Sequence, residues 1–319
     1  MTRIYDLRGV NYISDVLRGA AAFSDAAGIA LRMQALKNEL DCRVIRVPYY
    51  HDKFIGHEAL CIEEMRNITE AADREEIDTW WDYHHWKTSS KAKGGMGFPA
   101  DWVTTDIEFW KKLLSTNADD LWQKIAAVQS EVVRALDDYS NVVAYELVNE
   151  PQFPGTEKII YDRFATLYGY LSRNIRQLSN KYIVICEGNG IGGAAMQPQF
   201  VPLLMPDTER MIYSPHRYIL NKMDREVEKV KRWLMGWQAE GKDVRGVAAG
   251  EWGVGMADYG GTEPSPENIL EMMRQWKTAG FGWTYWAAFG TGRNIFNADL
   301  TLNDKGKWLA WAQGNLYPV

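Results

Sequence analysis

Short apolar runs alternate with longer amphipathic segments along most of the 319-residue chain. The longer segments carry apolar residues three or four positions apart, which is typical of helices that bury one face. Each short run ends in polar residues, and the alternation recurs about eight times without any repeat of the sequence itself. Eight strands that alternate with helices predict an α/β fold, the (β/α)8 TIM barrel, with residues 1–319 as a single domain.

The runs and segments give approximate bounds for each element. Strands are predicted at 8–12, 42–49, 77–85, 141–150, 182–186, 211–214, 246–250 and 281–287. Helices are predicted at 26–40, 58–75, 118–138, 157–178, 225–240, 266–279 and 305–313. A long loop at 87–105 follows the third strand, and loops of this length usually have a function. We expect it to shape the cleft beside that strand.

The fourth run is apolar at six of the eight positions from 141 to 148. Such a run is typical of a strand buried on both faces of a parallel sheet. Pro151 has no N–H to donate, so the strand should end at Asn149 and Glu150, with Glu150 as its last residue. In parallel barrels the chemistry is found at this carboxyl edge, although a carboxylate here can also cap the following segment.

Polar side chains stand at the ends of several other predicted strands. If the barrel closes, these ends converge on one cavity. The candidate site residues are Arg46, His84, His85, Asn149, Glu150, His216, Tyr218 and Glu251, together with Trp286 on the eighth strand.

Two of these candidates, Glu150 and Glu251, come from opposite sides of the predicted barrel mouth. Paired carboxylates are what glycoside hydrolysis requires. One must be protonated so that it can donate to the leaving oxygen, and the other must be ionised so that it can attack or activate water. The charge of Arg46 would keep Glu251 ionised, and Tyr218 can donate a hydrogen bond that aims the same carboxylate.

The remaining candidates can bind a sugar. The Asn149 amide can hold a hydroxyl, His84 and His216 can bind hydroxyls or tune the acid, and Trp286 offers a flat apolar face. Side chains alternate along a strand, so only one of His84 and His85 can face the cavity. We predict His84 for the cavity and a structural or secondary contact for His85.

Simpler explanations exist for several of these residues. A histidine in a polar loop is often a hydrogen-bonded packing residue, and Trp286 by itself is consistent with core packing. A metal site would need a third ligand at suitable spacing from the histidines, and none is present in the sequence, so no metal is predicted. Glu146 lies inside the fourth strand and needs a partner such as an arginine in the barrel. Glu187 is assigned to loop structure.

Composition narrows the class of protein. Hydrophobic residues make up 46% of the chain and charged residues 24%, which is ordinary for a globular protein. The net charge is −6 without a basic cluster, so neither nucleic acid nor an anionic membrane is an expected partner. No run approaches the roughly 20 apolar residues of a membrane span. The N-terminus lacks the apolar core of a signal peptide, which leaves a cytoplasmic protein or a secreted one whose leader was removed. We expect a monomer.

The polar strand ends lie within six motifs that follow one another in a known order. The motifs are Val-Ile-Arg46-Val-Pro, Asp-Tyr-His84-His-Trp, Leu-Val-Asn149-Glu150-Pro, His216-Arg-Tyr218, Gly-Glu251-Trp-Gly and Trp-Thr-Tyr-Trp286-Ala-Ala. On these motifs the chain resembles the family 5 glycoside hydrolases, the cellulase family, from about residue 8 to 290, and all eight family positions are filled.

The resemblance implies a retaining double displacement, with Glu150 as acid/base and Glu251 as nucleophile, about 5 to 5.5 Å apart. It implies no cofactor and no metal. The partner is then a polysaccharide or oligosaccharide substrate. We expect endo-cleavage of β-1,4-glucan, and β-mannan is the second candidate substrate. If the 87–105 loop closes one end of the cleft, we expect exo-action on short oligosaccharides instead. Candidate cleft residues are Trp80, Trp81, Trp86, Trp102 and Trp252.

Two other functions compete with this interpretation. A barrel that only binds carbohydrate remains an alternative because a fold does not guarantee chemistry. Binding alone needs no pair of opposed carboxylates, which argues against it. An unrelated barrel enzyme such as an isomerase has no support, since the sequence contains neither a phosphate-binding loop nor a metal-ligand cluster.

Overall fold

The computed structural model describes residues 4–85, 106–151, 158–186, 200–206, 208–221, 223–254, 262–289 and 294–317. The predicted 87–105 loop, Glu187, Trp86 and Trp102 lie outside the described residues. None of the described helices is both long enough and apolar enough to cross a membrane.

Parallel strands form one closed sheet. β6 pairs with β8 and β1 pairs with β9, so the ring β1-β2-β3-β4-β5-β6-β8-β9 closes on itself. β7 is a two-residue segment that pairs only with β8, beyond the end of β6. The strands are β1 (Arg8–Asn11), β2 (Val44–Tyr49), β3 (Asp78–Tyr83), β4 (Val142–Glu146), β5 (Tyr182–Cys186), β6 (Met211–Ser214), β7 (His216–Arg217), β8 (Val244–Trp252) and β9 (Gly282–Tyr285). The predicted (β/α)8 barrel is confirmed.

Helices follow the strands and cover the outside of the barrel. They are α1 (Ala26–Leu40), α2 (His51–Phe54), α3 (Glu58–Arg74), α4 (Asp106–Leu113), α5 (Asp119–Leu136), α6 (Lys158–Arg176), α7 (Phe200–Leu204), α8 (Met223–Ala239), α9 (Pro266–Ala279) and α10 (Asp304–Leu316), after a 3₁₀ turn at Ile4–Asp6. The predicted bounds of α1 and α9 agree with the structure. Their first turns are capped by the side chains of Asp25 and Ser265, and α9 ends at left-handed Gly280. The short helices α2, α4 and α7 were not predicted, because one or two turns give little periodic signal.

The barrel interior has an apolar floor beneath a polar layer. The floor is a buried cluster formed by Leu7, Val44, Trp80, Val143, Ala144, Tyr182, Val184, Ile212 and Ala248. Side chains two positions further along a strand point to the same face. The polar layer therefore lies directly above the floor, toward the carboxyl ends of the strands. Its members, all buried, are Arg46, Asp82, Glu146, Cys186 and Ser214. This layer forms the base of the cavity at the carboxyl edge of the strands.

Several predicted strand ends were wrong by a few residues. β4 ends at Glu146, so Glu150 is not its last residue. Pairing hydrogen bonds continue from Leu147 N to Val184 O (3.0 Å) and from Asn149 N to Tyr83 O (3.0 Å), and Glu150 then adopts a left-handed φ of 39°.

The opposite error occurs at β8, which extends two residues beyond its predicted end and includes Glu251. His84 and His85 follow β3, and Trp286 follows β9, instead of lying within the strands. Apolar runs predict where a strand passes through the core, whereas the end of pairing depends on the neighbouring strand.

Candidate active site

Arg46 of β2 is the centre of the polar layer, and its side chain is fully buried. Its guanidinium donates to both oxygens of Glu146, from Nε to Oε2 (2.9 Å) and from Nη2 to Oε1 (3.0 Å). It also contacts Asp82 Oδ2 (3.0 Å from Nη2) and Glu251 Oε1 (3.0 Å from Nη1). The amide oxygens of Asn11 and Asn149 accept at 2.8 and 2.7 Å. The arginine that Glu146 was expected to need is therefore present, and it is shared with two further carboxylates.

One guanidinium thus faces three buried carboxylates. Burial by itself would lower the pKa of Arg46, but Asp82, Glu146 and Glu251 raise it well above its ordinary value. Burial raises the pKa of Asp82 to about 7, although the Arg46 charge acts to lower it. Burial also raises the pKa of Glu146. Removal of the guanidinium would leave these carboxylates buried and uncompensated, which is the costly case for charges away from water.

Glu251 lies at the carboxyl end of β8, and a donor reaches each of its oxygens. Arg46 Nη1 donates to Oε1 (3.0 Å), and the Tyr218 hydroxyl donates to Oε2 (2.6 Å). Burial and then the nearby carboxylates raise the pKa of Tyr218 well above its ordinary value, so the hydroxyl keeps its proton. The two donors stabilise negative charge on Glu251 and fix the direction of the carboxylate.

The residue before Glu251 has to be small. A Cβ atom on Gly250 would lie 2.5 Å from Ser214 Oγ, 2.9 Å from His216 Nε2 and 3.3 Å from Arg46 Nε. Gly250 therefore leaves the space that the Arg46 guanidinium and the His216 ring occupy. Its backbone is held at both ends, because its N–H donates to Ser214 Oγ (3.0 Å) and its carbonyl accepts from Asn11 Nδ2 (2.9 Å).

Glu150 approaches the same cavity from the segment that follows β4. His216 Nδ1 lies 2.9 Å from Glu150 Oε1 and 3.7 Å from Glu251 Oε2, so this imidazole stands between the two carboxyl groups. One oxygen of Glu150, one oxygen of Glu251 and a nitrogen of His216 lie within 4.8 Å of one another. Oxygens this near to each other are compatible with the roughly 5 to 5.5 Å between the carboxyl groups of a retaining pair. The Glu150 side chain is 14% exposed and that of Glu251 is 7% exposed.

Cys186, the last residue of β5, contacts both Glu150 and His216. The Glu150 N–H donates to Cys186 Sγ (3.3 Å), and His216 Nε2 lies 3.3 Å from the same sulfur. Burial lowers the pKa of His216 to about 4, so the ring is neutral at neutral pH. The contact between His216 and Glu150 is then a hydrogen bond with a neutral imidazole.

His84 lies on the opposite side of Arg46. Its Nδ1 is 2.6 Å from Asp82 Oδ2, and burial lowers its pKa to about 4, so this ring is also neutral. The amide of Asn149 donates from Nδ2 to His85 O (3.0 Å) and faces His84 Nε2 (3.4 Å). A donor next to Nε2 requires that the proton of His84 be on Nδ1, where Asp82 accepts it. Trp286 stacks on the His84 ring, with ring centroids 5.7 Å apart at 15°, and stays partly exposed.

His85 turns away from the cavity. Its ring packs against Phe109 (5.7 Å between centroids) and Trp110 (5.6 Å), both in α4. Its backbone carbonyl reaches the site, where it accepts from Asn149 Nδ2. The two adjacent histidines therefore face opposite sides, as the alternation of side chains requires.

The tryptophans proposed for the cleft are mostly packing residues. Trp80, Trp81 and Trp252 are fully buried, so they do not line an open surface. Trp80 belongs to the barrel floor, with Arg46 Cζ 5.6 Å from its ring centroid. Of the candidates within the described residues, Trp286 is the one that is partly exposed at the cavity.

The fold also assembles groups that a cation could use, although the spacing in the sequence predicted none. Within the described part of the chain, Glu150, His216 and Glu251 form one such group, and Glu146, Cys186 and His216 form another. The oxygens of Glu251 already accept from Arg46 and Tyr218, so a cation at the first group would have to compete with these donors.

Four residues of the site were not predicted from the sequence, namely Asn11, Asp82, Cys186 and Gly250. Asp82 and Cys186 could have been found, because each lies two positions beyond a floor residue of its own strand. Asn11 faces Arg46 across the β1–β2 pairing, where Asn11 and Arg46 are register partners. The need for glycine at position 250 arises only from the close approach of three other strands.

Comparison with known proteins identifies the family of the chain. The family model described as Cellulase (glycosyl hydrolase family 5) matches residues 14–290. No significant match is found among curated protein sequences. The fold is shared by endo-glycoceramidase II from Rhodococcus sp. in its lactosyl-enzyme intermediate, at 18% identity and a TM-score of 0.69 over 95% of this chain and 78% of that one.

Two further solved structures share the fold at low sequence identity. A β-glucanase from Saccharophagus degradans in complex with cellotetraose matches at 17% identity and a TM-score of 0.66, over 97% of this chain and 88% of that one. An endogalactoceramidase matches at 15% identity and a TM-score of 0.71, over 96% and 80%. The chain belongs to glycosyl hydrolase family 5, the cellulase family.

Proposed function

We propose that this glycoside hydrolase cleaves β-linked glycans by double displacement, with Glu251 as nucleophile and Glu150 as acid/base. The observation that carries the proposal is a pair of carboxyl groups that have oxygens within 4.8 Å of each other. Glu251 accepts from Arg46 and Tyr218, whereas Glu150 is hydrogen-bonded to His216. The retaining mechanism is general in family 5, and this separation supports it.

In the first step, an oxygen of Glu251 forms a bond to the anomeric carbon as the glycosidic C–O bond breaks. The departing oxygen takes the proton of Glu150. Arg46 and Tyr218 hold Glu251 in place for the attack through their bonds to Oε1 and Oε2. A nucleophile that cannot rotate has less orientational freedom to lose on the way to the transition state.

In the second step, ionised Glu150 takes a proton from water, and the water oxygen attacks the anomeric carbon. The ester bond to Glu251 breaks and its carboxylate is regenerated. Two inversions at the same carbon give a product with the configuration of the substrate. Over the two steps one proton passes from Glu150 to the departing oxygen and one passes from water back to Glu150, while Glu251 neither gains nor loses a proton.

Asn149 and Trp286 are the residues best placed to hold the sugar. Both hydrogen-bonding ends of the Asn149 amide are oriented, since Oδ1 accepts from Arg46 and Nδ2 donates to His85 O. The Trp286 ring is braced on one face by His84 and remains partly exposed, which suits stacking against one sugar ring.

For the substrate we propose β-1,4-glucan cleaved in endo fashion, with β-mannan second. The solved β-glucanase with cellotetraose shares this fold, and that likeness supports a glucan. Exo-action on short oligosaccharides is the alternative if the 87–105 segment closes one end of the cleft.

A glycolipid is a second candidate substrate. Two endoglycoceramidase-type proteins match this chain with TM-scores of 0.69 and 0.71. Ile55 and Ile159, which follow β2 and β4 on the side of the carboxyl edge, are 52% and 63% exposed. Exposed large apolar side chains of this kind would suit contact with a lipid aglycone.

A product assay separates these substrates. The protein is incubated with carboxymethyl-cellulose, barley mixed-linkage glucan, glucomannan, galactomannan, xylan and a lactosyl ceramide in detergent micelles, with Glu150→Gln and Glu251→Gln as controls. Reducing ends together with a rapid fall in viscosity on one polymer would identify an endo-glycanase and its polymer. Reducing ends without a fall in viscosity would identify exo-action. Release of ceramide would identify the glycolipid.

The same assay can overturn the proposal. NMR of the first product detected should show the β-anomer before mutarotation. An α-anomer would exclude double displacement on a β-glycoside. Absence of product from all six substrates, with tight binding to one of them, would favour the carbohydrate-binding barrel.

A further inference from the structure

The sulfur of Cys186 joins the backbone and the side-chain partner of Glu150. It accepts the Glu150 N–H at 3.3 Å and lies 3.3 Å from His216 Nε2, while His216 Nδ1 reaches Glu150 Oε1 at 2.9 Å. The three residues thus form a closed loop of hydrogen bonds that begins and ends at Glu150. Cys186 is fully inside the barrel, next to Glu146.

The loop constrains which nitrogen of His216 carries the proton. A neutral imidazole has one donor and one acceptor nitrogen. Nδ1 faces Glu150 and Glu251, and two carboxylates favour a donor at that nitrogen. Nε2 must then accept a hydrogen bond, and the thiol of Cys186 can donate one while its lone pairs accept from the Glu150 N–H.

The position of this proton matters for acid catalysis. With Nδ1–H donating to Oε1, that oxygen is occupied, and a proton on Glu150 resides on Oε2. In the other tautomer the lone pair of Nδ1 would draw the proton of Glu150 to Oε1, where it is held by the ring and withheld from a substrate. The tautomer of His216 therefore decides which oxygen of Glu150 delivers its proton.

We propose that Cys186 is a positioning residue, which holds His216 in its Nδ1–H tautomer and thereby keeps the proton of Glu150 on Oε2. The proposal rests on the assignment of Glu150 as acid/base. Cys186 does not touch the substrate and forms no covalent bond. Burial, followed by Glu146, raises the pKa of its thiol well above the ordinary value, so it remains the S–H donor that the proposal requires.

The first test reads the tautomer directly and needs no activity. The chain has five histidines, so a sample labelled with ¹⁵N at histidine gives few ring signals, and a His216→Asn sample assigns those of His216. We expect a protonated Nδ1 and an acceptor Nε2 in the wild type. In Cys186→Ala, the Nε2 signal should shift toward the protonated form. A His216 ring with the same pair of shifts in both proteins would overturn the proposal.

The second test measures catalysis on aryl β-glycosides with good and poor leaving groups. Cys186→Ala should reduce kcat about 10-fold with a poor leaving group and about twofold or less with a good one, because acid assistance matters most when the leaving group is basic. KM should stay within about twofold. Cys61→Ala, which truncates a buried thiol in α3, is the matched control and should leave both rates unchanged. An equal loss on both substrates would indicate a general packing defect and overturn the proposal.

The third readout is the pH profile of kcat/KM. The groups that act on His216 are Glu150, Glu251, Glu146, Cys186, Arg46 and His84. A donor at Oε1 favours ionised Glu150, and its loss in Cys186→Ala should raise the pKa of the alkaline limb by about half a unit to one unit. Cys186→Ser retains a donor and should bring the limb back toward the wild-type position. An alkaline limb that is unchanged in Cys186→Ala would contradict the proposal.

These outcomes are distinguishable from a failure of the proposed function. If the wild type hydrolyses no glycoside, the proposed function fails, while the histidine spectra still report whether Cys186 sets the tautomer. If the wild type is active and the spectra are the same with and without the thiol, only the role of Cys186 fails.

Discussion

Glu251 and Glu150 are of the same residue type and face one cavity, yet the two sides of the barrel hold them differently. Glu251 has a donor on each oxygen, one of them the guanidinium of Arg46 and the other the hydroxyl of Tyr218. Glu150 has the neutral ring of His216 on Oε1, and its side chain is twice as exposed, at 14% against 7%.

The difference is the one that the two proposed roles, nucleophile for Glu251 and acid/base for Glu150, would require. A nucleophile has to be ionised and aimed, and donors on both oxygens favour that state. An acid/base has to change its protonation state in every cycle, so a permanent cation beside it would hinder the first step. A neutral imidazole can orient Glu150 without adding that charge. Four experiments test this difference between the two glutamates.

The largest effect is expected from removal of the carboxylates themselves. Glu251→Ala and Glu150→Ala should each lose at least about 1,000-fold in kcat on a polymer. With an activated aryl β-glycoside, azide should rescue both variants but in opposite configurations. Glu251→Ala should give the α-glycosyl azide, since azide replaces the nucleophile, and Glu150→Ala should give the β-glycosyl azide, since azide then attacks the glycosyl-enzyme. NMR of the products distinguishes the two anomers, and the same anomer from both variants would refute the division of roles.

Arg46 contacts Glu251, the proposed nucleophile, and also two carboxylates of the barrel interior. Arg46→Met leaves Asp82, Glu146 and Glu251 without their shared cation and should lower the free energy of unfolding by about 3 to 5 kcal/mol. Urea unfolding followed by tryptophan fluorescence measures it.

Two further variants test the cause of that loss. Arg46→Met combined with Asp82→Asn should recover part of the stability, because one uncompensated carboxylate is removed. Lys158→Met breaks the exposed contact with Asp162 and should cost less than about 1 kcal/mol. A double variant no more stable than Arg46→Met would show that lost packing, and not charge, dominates.

Tyr218→Phe tests the second donor on Glu251. Loss of a 2.6 Å hydrogen bond to a carboxylate should reduce kcat about 10- to 100-fold, with a smaller change in thermal stability. Tyr139→Phe is the matched control, because its hydroxyl donates to Glu70 at 2.8 Å far from the cavity, and its kcat should equal that of the wild type. Equal kcat values for the two variants would remove Tyr218 from the positioning of the nucleophile.

The smallest effect concerns pH and stability. The pKa of His216 is lowered to about 4 in the folded protein, against about 6.5 in an unfolded chain. Between these values the unfolded state binds more protons, so stability should fall as the pH is lowered from about 6.5 toward 4, by about 1 kcal/mol per pH unit for this histidine. Asp82 acts in the opposite direction, because its pKa is raised to about 7 and the folded state takes up its proton first.

Unfolding free energies at pH 4.5 and 6.5 measure this balance. His216→Asn should lose less stability than the wild type over the interval, whereas Asp82→Asn should lose more. Equal slopes for all three proteins would mean that neither group changes its protonation on unfolding in this range.

Much of this architecture follows from local rules. The alternation of apolar runs and amphipathic segments was enough for the barrel, and the bounds of α1 and α9 were predictable because caps and period-3.6 patterns act within a few residues. The placement of Arg46, Asn149, Glu150, His216, Tyr218 and Glu251 near one edge followed from the rule that parallel strands present their carboxyl ends together.

Other features required the closed ring. The sequence predicts that Glu146 needs a cation, but it does not say that Arg46 also serves Asp82 and Glu251, since that sharing brings together β2, β3, β4 and β8. The requirement for glycine at position 250 and the contact of the Cys186 sulfur with His216 likewise depend on contacts between strands. The sequence by itself thus determines which chemical groups lie near the strand ends, whereas the tertiary structure decides which donor pairs with which acceptor. The reason is that a hydrogen bond acts over about 3 Å, and only closure of the barrel brings distant strands that close together.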